Sequence, residues 1–288
     1  MSTVIKSQFV SGLTDKEPVD SLFLVKDKFA AVGKTGKSYL GFRLSDSSGS
    51  VDSRIWERAD EMNPLFESGQ IVKVKGVVQL YQNRKQVIVH KIEAYEQSDL
   101  DLSLFVGKTA RAAEELFDEL IVIVQTISNL PLRTLIQASM EDPEIKPDLL
   151  RSPAAKSIHH ATQGGLLEHI LSICKIMEFL AGHYTFLSRD LLIFGAIFHD
   201  IGKVWELKLD QGIQYTDRGK LIGHMELACE LIDRKSQKIL GFTDELRDLC
   251  KHIVLSHHGK LEYGSPKRPK FLEALVVAMV DDLDSKVN

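Results

Sequence analysis

Leu191–Lys203, LLIFGAIFHDIGK, is the stretch on which the reading of the chain turns. Six of the eight residues from Leu191 to Phe198 are large and apolar, and the run ends directly on His199 and Asp200. Alternation of the strand kind is absent and breakers are few, so the run predicts a helix buried on most sides. An imidazole and a carboxylate at the inner end of such a helix carry a desolvation cost unless something pairs them. A divalent cation is one such partner, because adjacent His-Asp presents a nitrogen and an oxygen ligand together. On the dipeptide alone, a His and an Asp capping a core helix explain the pattern at least as well.

The segments around it shift that balance. HHATQGGLLEH precedes it at 159–169, and GH (223–224), SHHG (256–259) and DDLD (281–284) follow. Each lies on or at the end of a predicted helix: Gly165–Gly182 with His169 near its start, His224–Arg234, Glu245–Ser256 leading into His257 and His258, and Phe271–Asp284. Nine of the ten histidines lie at or beyond His159, which marks the C-terminal part as the chemical one. His159, His160, His183 and His252 read as surface or packing residues.

H…HD…D on consecutive helices resembles the HD-domain superfamily of metal-dependent phosphohydrolases. The resemblance implies His169, His199, Asp200 and a late Asp as metal ligands. Asp281 is the expected last ligand and Asp282 the fallback. His224, His257 and His258 match HD subfamilies that hold two metals, and two cations could bridge a phosphate and activate a water for in-line attack. Lys203, in HDxxK, is placed to meet a phosphate oxygen or to shape the surroundings of the ligands; with His199 and Asp200 it is a catalytic candidate. Mixed nitrogen and oxygen ligands suit manganese, iron, cobalt, zinc or nickel, with no thiolate to select among them, and magnesium is a further alternative, as one or two ions.

Residues 1–97 read differently. Segments Ser21–Ala31, Ser38–Leu44, Ser50–Trp56, Gln70–Gln79 and Gln86–Ala94 have strand character, with turn signals at 33–36, 45–49 and 82–85. The polar connection Glu57–Ser68 has room for a short helix. Five strands with one helix after the third is the order of an OB-fold barrel. KTGKSYLGFRLSDSSGSVDSRIW resembles the corresponding part of nucleic-acid-binding OB domains. That resemblance makes Lys37, Tyr39, Phe42, Arg43, Trp56, Tyr81 and Arg84 candidates for a groove that stacks bases and follows phosphates. The plainer account puts the aromatics in the barrel core and the cations on a solvated face. VGKTGKS is not a phosphate loop, since Ala31 stands where GxxxxGK[ST] needs its first glycine.

Residues 98–150 read as a helical connector, with a helix over Lys108–Ile127, a second restarting at Pro131 and running to Met140, and prolines at 143, 147 and 153. The acidic run Glu114, Glu115, Asp118, Glu119 is a solvated helix face. The expected architecture is therefore an OB-fold β-barrel (1–97), the connector (98–150) and an all-α HD domain (151–288).

That pairing, with GGLLEH, HDIGK, SHHG and DDLD, resembles the YhaM-type 3′→5′ exoribonucleases over nearly the whole chain. The family implies a manganese-dependent hydrolase removing nucleotides from the 3′ end of single-stranded RNA, and in some members single-stranded DNA. SPKRPK (265–270) is either a basic lip for the nucleic-acid backbone or a solvated turn. Two rivals remain: an HD phosphohydrolase of small nucleotides, and a nucleic-acid-binding protein with a structural HD domain.

Composition bounds these readings. At 288 residues, 44% hydrophobic and 26% charged, the chain has room for two ordinary domains. Net charge of −4 argues against nucleic-acid binding by bulk electrostatics. Residues 1–98 carry 14 Lys and Arg against 12 Asp and Glu, and residues 99–150 carry 4 against 10, so any phosphate-binding surface is a local patch. No apolar run approaches the roughly 20 residues of a membrane span, so no membrane partner is expected. MSTVIKSQFV lacks a secretory pattern, and three separated cysteines suggest neither a disulfide framework nor a thiolate site. A reducing cytoplasm is the expected compartment. Subunit number stays open, a homo-oligomer included.

Overall fold

The computed structural model describes residues 6–33, 36–95, 100–105, 111–154, 162–209 and 213–287. His159, His160, the tip residues Lys34 and Thr35 of the first expected turn, and Lys108 lie outside the described residues. The chain forms two compact units, one holding a barrel and the other a helical body.

Strands β1 (Pro18–Val32), β2 (Ser38–Asp46), β3 (Gly49–Ile55), β4 (Ile71–Tyr81) and β5 (Arg84–Ala94) close a barrel in the order β1-β2-β3-β5-β4, completed by β1 pairing with β4. All neighbours are antiparallel except β3 and β5. Period-two alternation decides which side chains fill it. Leu40, Phe42 and Leu44 of β2 and Val51 and Ile55 of β3 are buried, while Tyr39 and Arg43, Asp52 and Arg54 take the opposite face. Helix α1 (Ala59–Met62) and a 3₁₀ turn at Asn63–Leu65 follow β3 and deliver Phe66 to the core, its ring 5.2 Å from that of Phe42. Gln82 and Asn83, at φ of 50° and 61°, make the two-residue turn that joins β4 to β5 with the twist the strands require.

The helical body comprises α2 (Ala113–Gln125), α3 (Leu130–Met140), α4 (Lys146–Leu149), α5 (Gly165–His183), α6 (Arg189–Phe198), α7 (Lys203–Glu206), α8 (Asp217–Leu221), α9 (His224–Ser236), α10 (Asp244–Ser256) and α11 (Leu272–Val287); between α7 and α8 the chain runs through a hairpin of β6 (Leu207–Leu209) and β7 (Ile213–Tyr215). Side-chain caps fix several starts: Asn129 Oδ1 accepts from the Leu132 N–H at 3.0 Å, and Thr243 Oγ1 from the Leu246 N–H at 3.2 Å. Helix α6 is the core element, with every residue from Leu192 to Phe198 buried. Each large side chain there contributes about 1.5–3 kcal/mol by leaving water. Gly195 lets α11 close in, for a Cβ there would stand 2.5 Å from Val277 Cγ2.

The helices of the expected connector share this core. Leu116, Phe117, Leu120, Val124, Leu132, Leu135 and Ile136 pack in one cluster with Ile170, Phe194, Ile253 and Val277. Glu114, Glu115 and Asp118 are exposed, and Glu119 meets Arg111 and Lys175. None of the described helices is long and apolar enough to cross a membrane.

Candidate metal centre

Five elements of the helical body deliver ligands to one place. His169 sits one turn into α5, and His199 caps the C-terminus of α6 with Asp200 directly after it. His224 opens α9, His257 and His258 follow α10, and Asp281 lies on α11. Two groups of side chains there could each hold an ion: His169, His199, Asp200 and Asp281, and alongside them His224, His257 and His258. Asp282 points elsewhere, exposed and paired with Lys286 at 2.6 Å.

All five imidazoles of these groups are oriented alike. His199 Nδ1 faces the carbonyls of Gly195 and Ala196 at 3.1 and 3.0 Å, His257 Nδ1 that of Val254 at 2.7 Å, and His258 Nδ1 that of Tyr263 at 2.9 Å. A carbonyl only accepts, so each of these Nδ1 atoms carries the proton and donates it. His169 Nδ1 donates to Asp284 Oδ2 at 2.8 Å and His224 Nδ1 to Glu206 Oε1 at 2.9 Å, carboxylates doing the same work. Every Nε2 is thereby left as the coordinating atom, and the second nitrogen fixes the ring.

The spacing suits a cation. His169 Nε2 lies 3.1 Å from His199 Nε2, 3.3 Å from Asp281 Oδ1 and 3.7 Å from Asp200 Oδ2. His199 Nε2 lies 3.4 Å from Asp200 Oδ2 and 3.6 Å from Asp281 Oδ1. Ligands about 2.1 Å from a common ion stand about 3.0 Å apart in an octahedron and about 3.4 Å apart in a tetrahedron. On the other side, Asp200 Oδ1 is 3.6 Å from His224 Nε2 and 3.7 Å from His257 Nε2. Those three atoms are buried without a hydrogen-bond partner among the described residues, an arrangement that costs free energy unless something fills the gap. The donor set therefore fits divalent metal.

Electrostatics agree. Burial opposes the charge on Asp200, yet Lys203 and His199 hold its carboxyl well below the usual range. Burial likewise works against Asp281, but its hydrogen bond with His169 and the neighbouring His199 keep it at about 2. Burial and the neighbouring His199 push His257 well down, so it stays neutral. Burial alone would depress His169; its hydrogen bonds with Asp281 and Asp284 outweigh it and raise it to about 9, so a cation would take Nε2 by displacing a proton. Lys203 Nζ donates to Asp200 Oδ2 and to the Ala154 carbonyl, both at 2.6 Å, so its ammonium neutralises a ligand.

On the barrel, Tyr39, Trp56, Tyr81 and Arg84 line a cavity of about 540 Å³ together with Asp52, Arg54, Gln79, Gln82, Lys85 and Gln86. The Tyr39 and Trp56 rings are 4.8 Å apart and tilted by 33°. Phe42 is not in it. It is 1% exposed because alternation along β2 turns it inward, so its expected place in the groove is corrected to the core. Arg43 lies on the outer face but is drawn to Asp27, and Lys37 is exposed ahead of β2; neither lines the cavity.

Sequence reasoning gave no role to Asp284 or Glu206. Asp284 was in plain view in DDLD, three residues and about one helical turn after Asp281. Glu206 sits three residues after Lys203, with nothing in its neighbourhood to link it to His224.

Two family models match parts of the chain. Residues 166–286 match the family model described as HD domain, and residues 24–95 the one described as OB-fold nucleic acid binding domain. Among solved structures, a replication protein A chain from a heterotrimer bound to ssDNA is 16% identical, over 28% of this chain and 60% of that one, with a TM-score of 0.24. The second OB-fold domain of replication protein A from Methanococcus maripaludis is 19% identical, over 33% of this chain and 98% of that one, with a TM-score of 0.25. A mitochondrial single-stranded DNA binding protein from S. cerevisiae is 9% identical, over 28% and 95%, again with a TM-score of 0.25. The chain thus joins an OB-fold barrel to a helical HD domain, and HD domains are metal-dependent phosphohydrolases.

Proposed function

We propose that the chain is a divalent-metal-dependent 3′→5′ exoribonuclease that hydrolyses phosphodiester bonds of single-stranded RNA, with single-stranded DNA as a secondary substrate. The observation that carries the reading is Asp200, whose two oxygens face two separate histidine sets, in a chain that also matches a nucleic-acid-binding OB-fold. Polymer substrate follows from the pairing of domains, and 3′ polarity from the resemblance of GGLLEH, HDIGK, SHHG and DDLD to YhaM-type enzymes. Manganese is the first candidate metal on the resemblance to YhaM-type enzymes; the imidazole and carboxylate donors, with Cys174, Cys229 and Cys250 buried outside the ligand groups, suit it among several divalent ions.

His169, His199, Asp200 and Asp281 would hold one ion, and Asp200, His224, His257 and His258 a second. When bound, such ions supply Lewis acidity to a phosphoryl group and, as a pair, clamp the attacking and leaving oxygens of an in-line displacement. The remaining work belongs to the chain. Asp284 and Glu206 hold the His169 and His224 rings by accepting their Nδ1 protons, and Lys203 keeps Asp200 ionised and oriented. Tyr39, Trp56 and Tyr81 offer faces for upstream bases, and Arg84 a cation for the backbone.

The test is digestion of end-labelled single strands by purified protein, with chelator and manganese add-back. Label at the 5′ end should yield a ladder that shortens from the 3′ side, abolished by chelator and restored by metal. Turnover of free nucleotides with intact oligonucleotide would favour the small-nucleotide rival, and binding without any turnover the structural-HD rival.

A further inference from the structure

We infer that Asp52 is the base-reading residue of a guanine subsite on the outer face of the barrel. The inference rests on the single-strand-binding reading above and adds a sequence preference to it. A surface that only tracks phosphates needs cations and stacking faces, and a carboxylate in its floor is a penalty. Asp52 lines the same cavity as Arg54, Arg84 and Lys85, yet its carboxylate makes no ion pair or hydrogen bond among the described residues. Its cross-strand neighbour Arg43 is engaged by Asp27 instead.

The sheet register gives this carboxylate a setting. Gln79 pairs with Gln86 across β4 and β5, and Gln86 with Asp52 across β5 and β3, so the three side-chain positions form one row over three strands. The adjoining row holds Tyr81 opposite Arg84, about 6.6 Å further along the strands. A base stacked on the exposed Tyr81 ring would lie in the same cavity as this row, where Asp52 is the one side chain that only accepts.

Base chemistry then selects the occupant. A carboxylate accepts two parallel hydrogen bonds from neighbouring donors and donates none. Guanine offers such a pair in N1–H and the N2 amino group. Uracil offers one N–H flanked by two carbonyls, which repel the second oxygen. Adenine and cytosine each place a bare ring nitrogen beside their amino group. Only guanine satisfies both oxygens of Asp52, and reading of its Watson–Crick edge is available in a single strand.

The experiment is fluorescence anisotropy with the full chain in chelator, so that strands are bound and not degraded. The probes are a labelled U10 RNA and U10 variants carrying one guanosine, or one inosine, scanned along the strand. Guanosine at one register should tighten binding roughly tenfold over U10, and inosine, which lacks the N2 amino group, should recover only part of that gain. In Asp52→Asn the guanosine-to-uridine ratio should fall to near one. Equal wild-type affinity for all three strands, or a preference that persists in Asp52→Asn, overturns the guanine subsite. If neither U10 nor its guanosine variants bind, the single-strand reading fails and the subsite falls with it.

Discussion

Asp200 Oδ1 lies 3.6 Å from His224 Nε2, and neither atom has a hydrogen-bond partner among the described residues. The other oxygen of the same carboxylate lies 3.4 Å from His199 Nε2, so one residue faces both ligand sets. Asp200→Asn should therefore impair both ions, whereas His224→Ala should remove only the second. Metal content after manganese loading and dialysis, measured by plasma mass spectrometry, should fall from two per chain to near zero in the first variant and to one in the second. Hydrolysis should drop by at least about a thousandfold in Asp200→Asn, the scale of losing metal-supplied charge stabilisation. Two ions retained by Asp200→Asn would refute the shared-ligand geometry.

Asp284 acts through His169. Its Oδ2 accepts from His169 Nδ1 at 2.8 Å and its Oδ1 from Ser172 Oγ at 2.6 Å, which fixes the carboxylate as well as the ring. Asp284→Asn should weaken manganese binding by about 10–100-fold, the usual cost of losing a partner that orients a ligand. Raising manganese should restore turnover in Asp284→Asn but not in Asp281→Asn, which lacks a ligand. Titration of activity against metal concentration separates the two.

Those two carboxylates also show where sequence legibility ends. His169, His199, Asp200 and Asp281 can be found by eye because a ligand's residue type and its place at a helix end are written locally. Partners such as Glu206, which bonds both the His224 ring and its N–H, are set by packing between elements. The strands of the barrel were readable because turn residues punctuate them, but alternation had to be phased correctly to separate Tyr39 from Phe42. Nor does local periodicity reveal that helices at 113–140 join the core of the later ones, since an amphipathic face does not name its partner.

Gly202 makes a prediction about assembly rather than chemistry. A Cβ there would stand 2.0 Å from the His224 carbonyl oxygen and 2.8 Å from its carbon, backbone atoms that cannot rotate away. Gly202→Ala should push the start of α9 outward, lowering stability by about 1–3 kcal/mol as other overpacked sites do. The second ion should be lost before the first. Chemical denaturation together with metal content reports both effects.

On the barrel, Trp56 is 49% exposed with its ring against Tyr39. Trp56→Ala removes a stacking face without opening the core, so it should weaken single-strand binding by about 1–3 kcal/mol while the melting temperature holds. Metal content should be unchanged in this variant, since Trp56 belongs to neither ligand group. Anisotropy, thermal denaturation and metal analysis make the comparison.

The three cysteines supply a test of the helical core that is independent of metal. Cys174, Cys229 and Cys250 are all buried. Burial pushes every one of their thiols up, Cys229 to about 12 with the carboxylate of Glu226 adding to it. An exposed thiol ionises near about 8.5, and only the thiolate attacks a disulfide reagent. At pH 8 the folded protein should therefore leave all three unmodified by an aromatic disulfide reagent, and denaturant should release all three. The pH dependence has a definite sign: the folded state keeps these thiols protonated where the unfolded chain ionises them. Their contribution to stability is complete below about 8.5 and is lost as pH climbs through that value toward the folded pKa values. Denaturation midpoints should fall between pH 8.5 and 10.5, and a triple Cys→Ala variant should show a smaller fall; an identical slope in the variant would mean that other groups dominate.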